Sequence, residues 1–190
     1  TIRQTTNMID KSQARKIISE KINALSEDEK SEQSAKVFDL IKTMDLPNGS
    51  ICIYKSLARE VDTKAIINYF IGRRKVYLPI VDGEEMSLVE VNADSEYAVA
   101  KWGILEPIGK RLAPEEVMPA VTVTPLLGAD KNLNRLGKGK GYYDRYFAKV
   151  KTLRIGLAFD EQIVDEIHCE ETDKALDILV SANGIKFKDR

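Results

Sequence analysis

The sequence predicts an α/β fold: a three-layer αβα sandwich around a mainly parallel or mixed central sheet, in a single domain covering residues 1–190. Three observations carry this expectation. Short β-rich apolar runs alternate with longer amphipathic segments, the pattern of strands joined by crossover helices. The chain has 190 residues, 43% hydrophobic and 31% charged, enough to bury one substantial core beneath an ordinary polar surface. A basic, glycine-rich turn follows one of the β-rich runs, and α/β folds gather ligands beyond the C-terminal ends of strands.

Residues 10–26 read as a first helix, with Ile17, Ile18, Ile22 and Leu25 as its apolar stripe. Ser26-Glu27-Asp28-Glu29 resembles a capping box, opening a second helix that buries Val37, Phe38, Ile41 and Met44. Leu46-Pro47-Asn48-Gly49-Ser50 stops it. Ile51-Cys52-Ile53-Tyr54 has the look of a short buried strand, residues 62–71 of a helix, and Lys75-Val76-Tyr77-Leu78 of another strand. Met86 to Val91 has a partial strand pattern. Residues 106–119 hold three of the six prolines and are expected to form an irregular connection. Val121-Thr122-Val123-Thr124 is a strand leading to the glycine turn, and a helix carrying Asp144 is expected after it. Residues 153–159 and 176–180 supply two late strands, with a short turn or helix between them.

The most informative stretch is residues 135–147, Arg-Leu-Gly-Lys-Gly-Lys-Gly-Tyr-Tyr-Asp-Arg-Tyr-Phe. Glycines at 137, 139 and 141 let the backbone approach a ligand and turn its N–H groups toward an anion. A helix start adds its positive dipole end. Arg135, Lys138 and Lys140 make a phosphate the natural guest, and Asp144 is an oxygen ligand of the kind Mg²⁺ takes beside a nucleotide. The G-x-G-x-G spacing is neither the G-x-G-x-x-G of a dinucleotide fold nor a Walker loop. The plainer alternative is a solvated basic turn before an amphipathic helix. Against it, residues 130–145 carry five basic groups and two acids, a local +3 on a chain of net charge −1. Tyr142, Tyr143, Tyr146 and Phe147 also recur at helical spacing and would anchor the turn in a core.

Composition narrows the function classes. With 29 basic and 30 acidic residues, a broad nucleic-acid surface is not expected, and an RNA-binding role for the Lys/Arg/Tyr cluster is a weak alternative. No apolar run approaches the roughly 20 residues that cross a bilayer, and no signal pattern opens the sequence. Cys52 and Cys169 are isolated, which fits a reducing cytoplasm better than a disulfide framework. His168, the single histidine, has little to support an acid–base role.

Taken in order, the motifs resemble the 5-formyltetrahydrofolate cyclo-ligase family, also called methenyltetrahydrofolate synthetase. Lys11-Ser12-Gln13-Ala14-Arg15 is similar to its basic helix motif, and Tyr54 through Glu60-Val61-Asp62-Thr63 to its strand followed by Glu-x-Asp-Thr. Lys75 to Pro79, Met86 and Trp102-Gly103-Ile104-Leu105-Glu106-Pro107 follow in family order. Arg135 to Tyr146 resembles the signature most closely, and Ile155 to Phe159, Gln162 and residues 173–177 resemble the C-terminal block. There are departures. Pro125 is followed by Leu126 where glycine is expected, Leu133 stands at another usual glycine, and Thr172 precedes Asp173 where many relatives have His.

The resemblance implies ATP-dependent closure of 5-formyltetrahydrofolate to 5,10-methenyltetrahydrofolate, releasing ADP and phosphate; the enzyme is expected to be a cytoplasmic monomer without nucleic-acid or membrane partners. It implies ATP contacts from Lys11, Arg15, Arg135, Leu136, Gly137, Lys138, Gly139, Lys140, Gly141, Tyr142 and Tyr143, with Arg135 and Lys140 serving the chemistry. It implies folate contacts from Lys55, Glu60, Trp102, Lys138 and Tyr142, and Mg²⁺ ligation by Asp144 and Asp173. A non-catalytic folate- or nucleotide-binding paralogue is the alternative, although such a protein would have no need of both metal acids.

Overall fold

The computed structural model of the chain describes residues 10–100 and 103–189. Its first helix, α1 (Lys11–Ala24), begins where the Asp10 carboxylate accepts the N–H groups of Ser12 and Gln13. It buries Ala14, Ile18 and Ile22, while Ile17, expected in the stripe, is 40% exposed. The reason is angular: positions 14, 18 and 22 stack at i+4, and residue 17 lies about 100° away from 18. The second helix, α2 (Glu27–Thr43), opens on the expected capping box between Ser26 and Glu29.

Strand β1 (Ile51–Ile53) leads through α3 (Lys64–Phe70) to β2 (Val76–Asp82), which turns back into the antiparallel β3 (Glu85–Val91). The stretch 106–119, expected to be irregular, holds the end of one strand and a short helix, and a further strand lies before it. Strands β4 (Tyr97–Val99) and β5 (Leu105–Pro107) form a hairpin, and α4 (Pro114–Val117) opens with proline at its first position. Strand β6 (Val121–Thr124) then leads to a short hairpin, β7 (Gly128–Asp130) and β8 (Arg135–Leu136), and to α5 (Tyr142–Lys149). Strand β9 (Leu153–Leu157), a 3₁₀ turn at Asp160–Gln162, β10 (Ile163–Val164), β11 (Ile178–Ser181) and β12 (Gly184–Phe187) complete the described chain. The sequence reading contained neither the β7–β8 hairpin nor β12.

The central sheet has seven strands in the order β12-β11-β9-β6-β1-β2-β3, with the five inner strands parallel and both edge strands antiparallel. Side-chain alternation divides the core. Ile51 and Ile53 face α2 and α3, packing with Val37, Ile41 and Ile66, whereas Cys52 faces α5, packing with Tyr146, Phe147 and Val150. This is the three-layer sandwich expected. A three-stranded sheet, β10-β7-β8, lies beneath α1, whose Ile18 and Ile22 pack on Leu136 and Ile167.

One topological feature locates the site. The connection from β1 leads through α3 to β2, and that from β6 leads through α5 to β9, on opposite faces and in opposite directions along the sheet. Strands β1 and β6 are neighbours, so a crevice opens between the loops that follow them.

Beyond the strand ends, Leu126 and Leu176 lie across Gly156 of β9, where an added Cβ would approach their methyl carbons to 2.8 and 2.5 Å. Gly156→Val is therefore expected to destabilise by about 1–3 kcal/mol through overpacking, read as a lower denaturation midpoint at unchanged m-value.

Candidate active site

The crevice is a cleft of 730 Å³ lined by Lys11 and Arg15 of α1, Glu60, residues 135–145 and Asp173. Each wall is braced locally. After β1, the Thr63 hydroxyl donates to the Tyr54 carbonyl at 2.7 Å and accepts the Ser56 N–H at 3.1 Å, closing the 54–63 loop on itself. Glu60 is thereby held almost buried, with one carboxylate oxygen accepting the Leu57 N–H at 2.8 Å. Its other oxygen accepts from the Lys138 ammonium at 2.9 Å, across the β1–β6 boundary.

The glycine loop hangs from β8 and ends at α5. Gly139 and Gly141 have φ of +94° and +67°, a region that costs other residues about 1–2 kcal/mol each. The loop is tied to α1 by the Arg15 Nε, which donates to the Gly137 carbonyl at 3.1 Å. As the aromatic spacing implied, Tyr146 and Phe147 are buried beneath the sheet, and Tyr142 and Tyr143 pack on their cluster. The Tyr146 hydroxyl lies 2.9 Å from that of Thr122 on β6.

Among the described residues, three close ion pairs join cleft cations to cleft acids, and Lys11 also lies 3.5 Å from Glu170. Besides Glu60–Lys138, Lys11 lies 2.7 Å from Asp173, and Arg135 donates to Asp144 at 3.2 Å. Burial pushes the Asp173 carboxyl up, but the Lys11 ammonium, the Glu170 N–H and the Arg135 charge outweigh it and hold the group below the ordinary carboxylate range. Burial likewise lowers Lys11, and Asp173 with Glu170 more than compensates, raising it above an ordinary lysine. Arg135 has a side chain only 5% exposed, and its buried Nε has no hydrogen-bond partner among the described residues. Lys140 is exposed at the loop's tip.

The cleft thus brings together Lys11, Arg15, Glu60, the 135–143 loop, Asp144 and Asp173. Asp144 and Asp173 are linked through the Lys174 N–H, which donates to Asp144 at 3.3 Å. Lys55 stands outside the cleft lining, with its ammonium 4.1 Å from the centroid of the Tyr97 ring on the β4–β5 hairpin. Trp102 lies outside the described residues. Neither cysteine offers a thiolate near neutral pH: burial pushes Cys52 up to about 12, and burial with the Asp130 and Asp173 charges pushes Cys169 up to about 11.

A family model described as the 5-formyltetrahydrofolate cyclo-ligase family matches residues 7–182. The chain belongs to that family. It is 31% identical to the mouse (Mus musculus) 5-formyltetrahydrofolate cyclo-ligase, covering 84% of this chain and 87% of the mouse protein. It is 28% identical to a probable 5-formyltetrahydrofolate cyclo-ligase of Schizosaccharomyces pombe, over 93% of this chain and 97% of that one. The solved structure of Aquifex aeolicus 5,10-methenyltetrahydrofolate synthetase superposes with a TM-score of 0.80 at 32% identity, covering 95% of this chain and 93% of its own.

Within this cyclo-ligase fold, two features position the loop: Asp130, to which the sequence reading gave no role, and Leu133, which it named only as a departure. Asp130 is fully buried; one carboxylate oxygen accepts the N–H groups of Asn132 and Asn134, and the other accepts from the Asn134 amide and the Ile167 N–H. It shapes the turn that aims Arg135, and the Asp130-Lys131-Asn132-Leu133-Asn134 run was a legible Asx-turn signal. Leu133 occupies its turn with φ +64°, the conformation that explains the glycine usual there. It is nonetheless buried, packs with Leu126 and Leu176, and its carbonyl accepts the Leu176 N–H at 2.9 Å. Two of the three departures from the family pattern, Leu126 and Leu133, therefore share one apolar cluster, which ties the 173–177 segment to the hairpin below the glycine loop.

Leu133→Ala keeps the backbone cost and loses packing, whereas Leu133→Gly loses packing and gains freedom at positive φ. The glycine variant is expected to be more stable than the alanine variant by about 1 kcal/mol, the reverse of the usual order, in paired urea titrations.

Proposed function

We propose that this chain, acting as one catalytic domain, closes 5-formyltetrahydrofolate to 5,10-methenyltetrahydrofolate at the expense of ATP. The observation that carries the reading is the meeting of Lys11, Arg15, Arg135, Lys138 and Lys140 with Glu60, Asp144 and Asp173 in one cleft. Triphosphate binding would use the five cations and the backbone of Leu136, Gly137, Gly139, Gly141, Tyr142 and Tyr143. Folate would lie at Glu60, Lys55, Lys138, Trp102 and Tyr142.

Mg²⁺ suits the donor set, since Asp144 and Asp173 are two hard oxygen donors, and no cluster of three acids, histidines or cysteines able to cage a metal occurs among the described residues. Such a site matches an ion that takes one or two carboxylates and completes its shell with phosphates and water. When bound, the ion would neutralise phosphate charge. A cytoplasmic setting is the one we propose, supported by the free thiols of Cys52 and Cys169, with the chain acting as a monomer; no helix of the described residues is long and apolar enough to cross a membrane.

The chemistry needs no protein nucleophile. The formyl oxygen attacks the γ-phosphorus, the bond to the β–γ bridging oxygen breaks, and ADP leaves. The formyl carbon, now joined to N5 as an iminium and carrying a phosphate leaving group, is attacked by N10 of the same molecule. Phosphate departs with its oxygen, and the N10 proton ends on it. Arg135 and Lys140 oppose the charge on the transferring group, and the cleft holds the reacting atoms together.

Lys138 links the two substrates. Its ammonium satisfies the nearly buried Glu60; a pterin donating to Glu60 would release it toward the phosphates. A non-hydrolysable ATP analogue should then bind at least about fivefold more tightly once folate is bound, and calorimetry on Lys138→Met should show that coupling gone. Independent binding in the wild-type protein would refute the exchange. The activity is tested by the absorbance of methenyltetrahydrofolate with and without ATP and Mg²⁺, with ADP followed in parallel. One ADP per ring closed, requiring both additions, is expected. Folate binding without product or ADP would leave a sequestering paralogue. Lys140→Ala should weaken phosphoryl transfer by about 1–3 kcal/mol, the scale of a lost charge-assisted bond; an unchanged single-turnover rate would remove it from the chemistry.

A further inference from the structure

Arg145 closes the basic 130–145 stretch. Its guanidinium joins three pieces of the cleft wall. One Nη donates to the Lys140 carbonyl at 2.9 Å, and the other donates to the Glu84 carbonyl at 3.1 Å in the turn between β2 and β3. The guanidinium carbon also lies 5.1 Å from the centroid of the Tyr142 ring. Tyr142 reaches the same turn, its hydroxyl donating to the Gly83 carbonyl at 2.6 Å.

These contacts answer a specific weakness of the loop. Lys140 sits between Gly139 and Gly141, both at positive φ, so its backbone has glycine freedom on either side. Gly141 precedes α5 with no side chain to cap the helix. The loop carbonyls at Gly137 and Lys140 are each held by a guanidinium, from Arg15 on one side and Arg145 on the other. A planar fork suits this second role, because it can address two carbonyls and stack on a ring at once, which an ammonium cannot.

We propose that Arg145 is a positioning residue: it fixes the Lys140 segment of the glycine loop and the Tyr142 ring against the β2–β3 turn, setting the wall that ATP and folate share. Its role runs through these carbonyl and ring contacts. This rests on the reading of the loop as the nucleotide site and Tyr142 as a folate contact, and it adds a residue whose planar geometry, rather than charge, supports both.

The test compares wild-type protein with Arg145→Ala and Arg145→Lys, measuring KM for each substrate, kcat, melting temperature and binding of a fluorescent trinitrophenyl-ATP. Arg145→Ala should raise KM for ATP and for folate about fivefold, the scale of two lost charge-assisted bonds offset by water. Added ethylguanidine should recover part of that loss. Arg145→Lys keeps the charge without the fork and should stay closer to the alanine variant than to wild type. Full recovery by lysine would mean that charge alone matters, and would overturn the proposal. Unchanged KM values in Arg145→Ala, whether or not the melting temperature falls, would overturn it as well. Nucleotide bound by the wild-type protein without turnover would count against the ligase reading instead, and the Arg145 effect would still be read as a loss of fluorescent-nucleotide affinity.

Discussion

A cleft that gathers Lys11, Arg15, Arg135, Lys138 and Lys140 would repel itself if nothing opposed the charge, and the protein opposes it with its own carboxylates. Lys11 pairs with Asp173, Arg135 with Asp144 and Lys138 with Glu60. Each pair spans distant parts of the chain or opposite ends of the glycine loop, so neutralising the cleft also assembles it: α1 is drawn to the C-terminal segment, and the loop after β6 to the loop after β1. Nearly buried, Glu60 and Arg135 make this consequential, because an ion withdrawn from water needs partners to remain charged. On the proposed reading, a metal–nucleotide complex would offer both signs at once, phosphates for the cations and a cation for Asp144 and Asp173. Either component alone would leave half of the broken pairs uncompensated.

The sheet order makes these pairings possible. Strands β1 and β6 lie side by side, yet the chain leaves them in opposite directions, through α3 on one face and α5 on the other. The loops at their ends cannot both fold away over the same helix, and the gap between them is where Glu60 meets Lys138. Local hydrogen bonds then refine each wall: the Thr63 hydroxyl for the Glu60 loop, the Asp130 carboxylate for the hairpin under Arg135, and guanidinia for the glycine loop. The apolar cluster of Leu126, Leu133 and Leu176 completes the support from below, combining a costly backbone conformation at Leu133 with burial of its side chain.

Much of this was legible in the residues. The Ser26–Glu29 capping box, the β1 and β6 runs, the aromatic anchor of α5 and the three-layer architecture all follow from local rules of capping, alternation and helical spacing. The 135–144 stretch was legible as glycine freedom beside clustered cations, and the fold brings Arg135, Lys138 and Lys140 into one cleft. Less visible were elements whose order comes from partners rather than pattern. Strand β12 exists by pairing with β11, and the β7–β8 hairpin by the Asp130 turn and the floor it gives α1. The misassigned Ile17 shows the limit within a helix: an isoleucine pair at 17 and 18 cannot both face inward, and only packing on Leu136 and Ile167 selects Ile18.

By itself, the sequence determined which chemical groups this protein owns and which short segments could present them, because propensity, charge and glycine content act over a few residues. Tertiary structure alone decided that Glu60 faces Lys138, that Asp173 holds Lys11, and that Arg145 braces the loop carrying Lys140. Glu60 and Lys138 are 78 residues apart, and Lys11 and Asp173 are 162 apart. Such distances carry no local signal; the contacts exist because strand order and helix packing return those segments to one place.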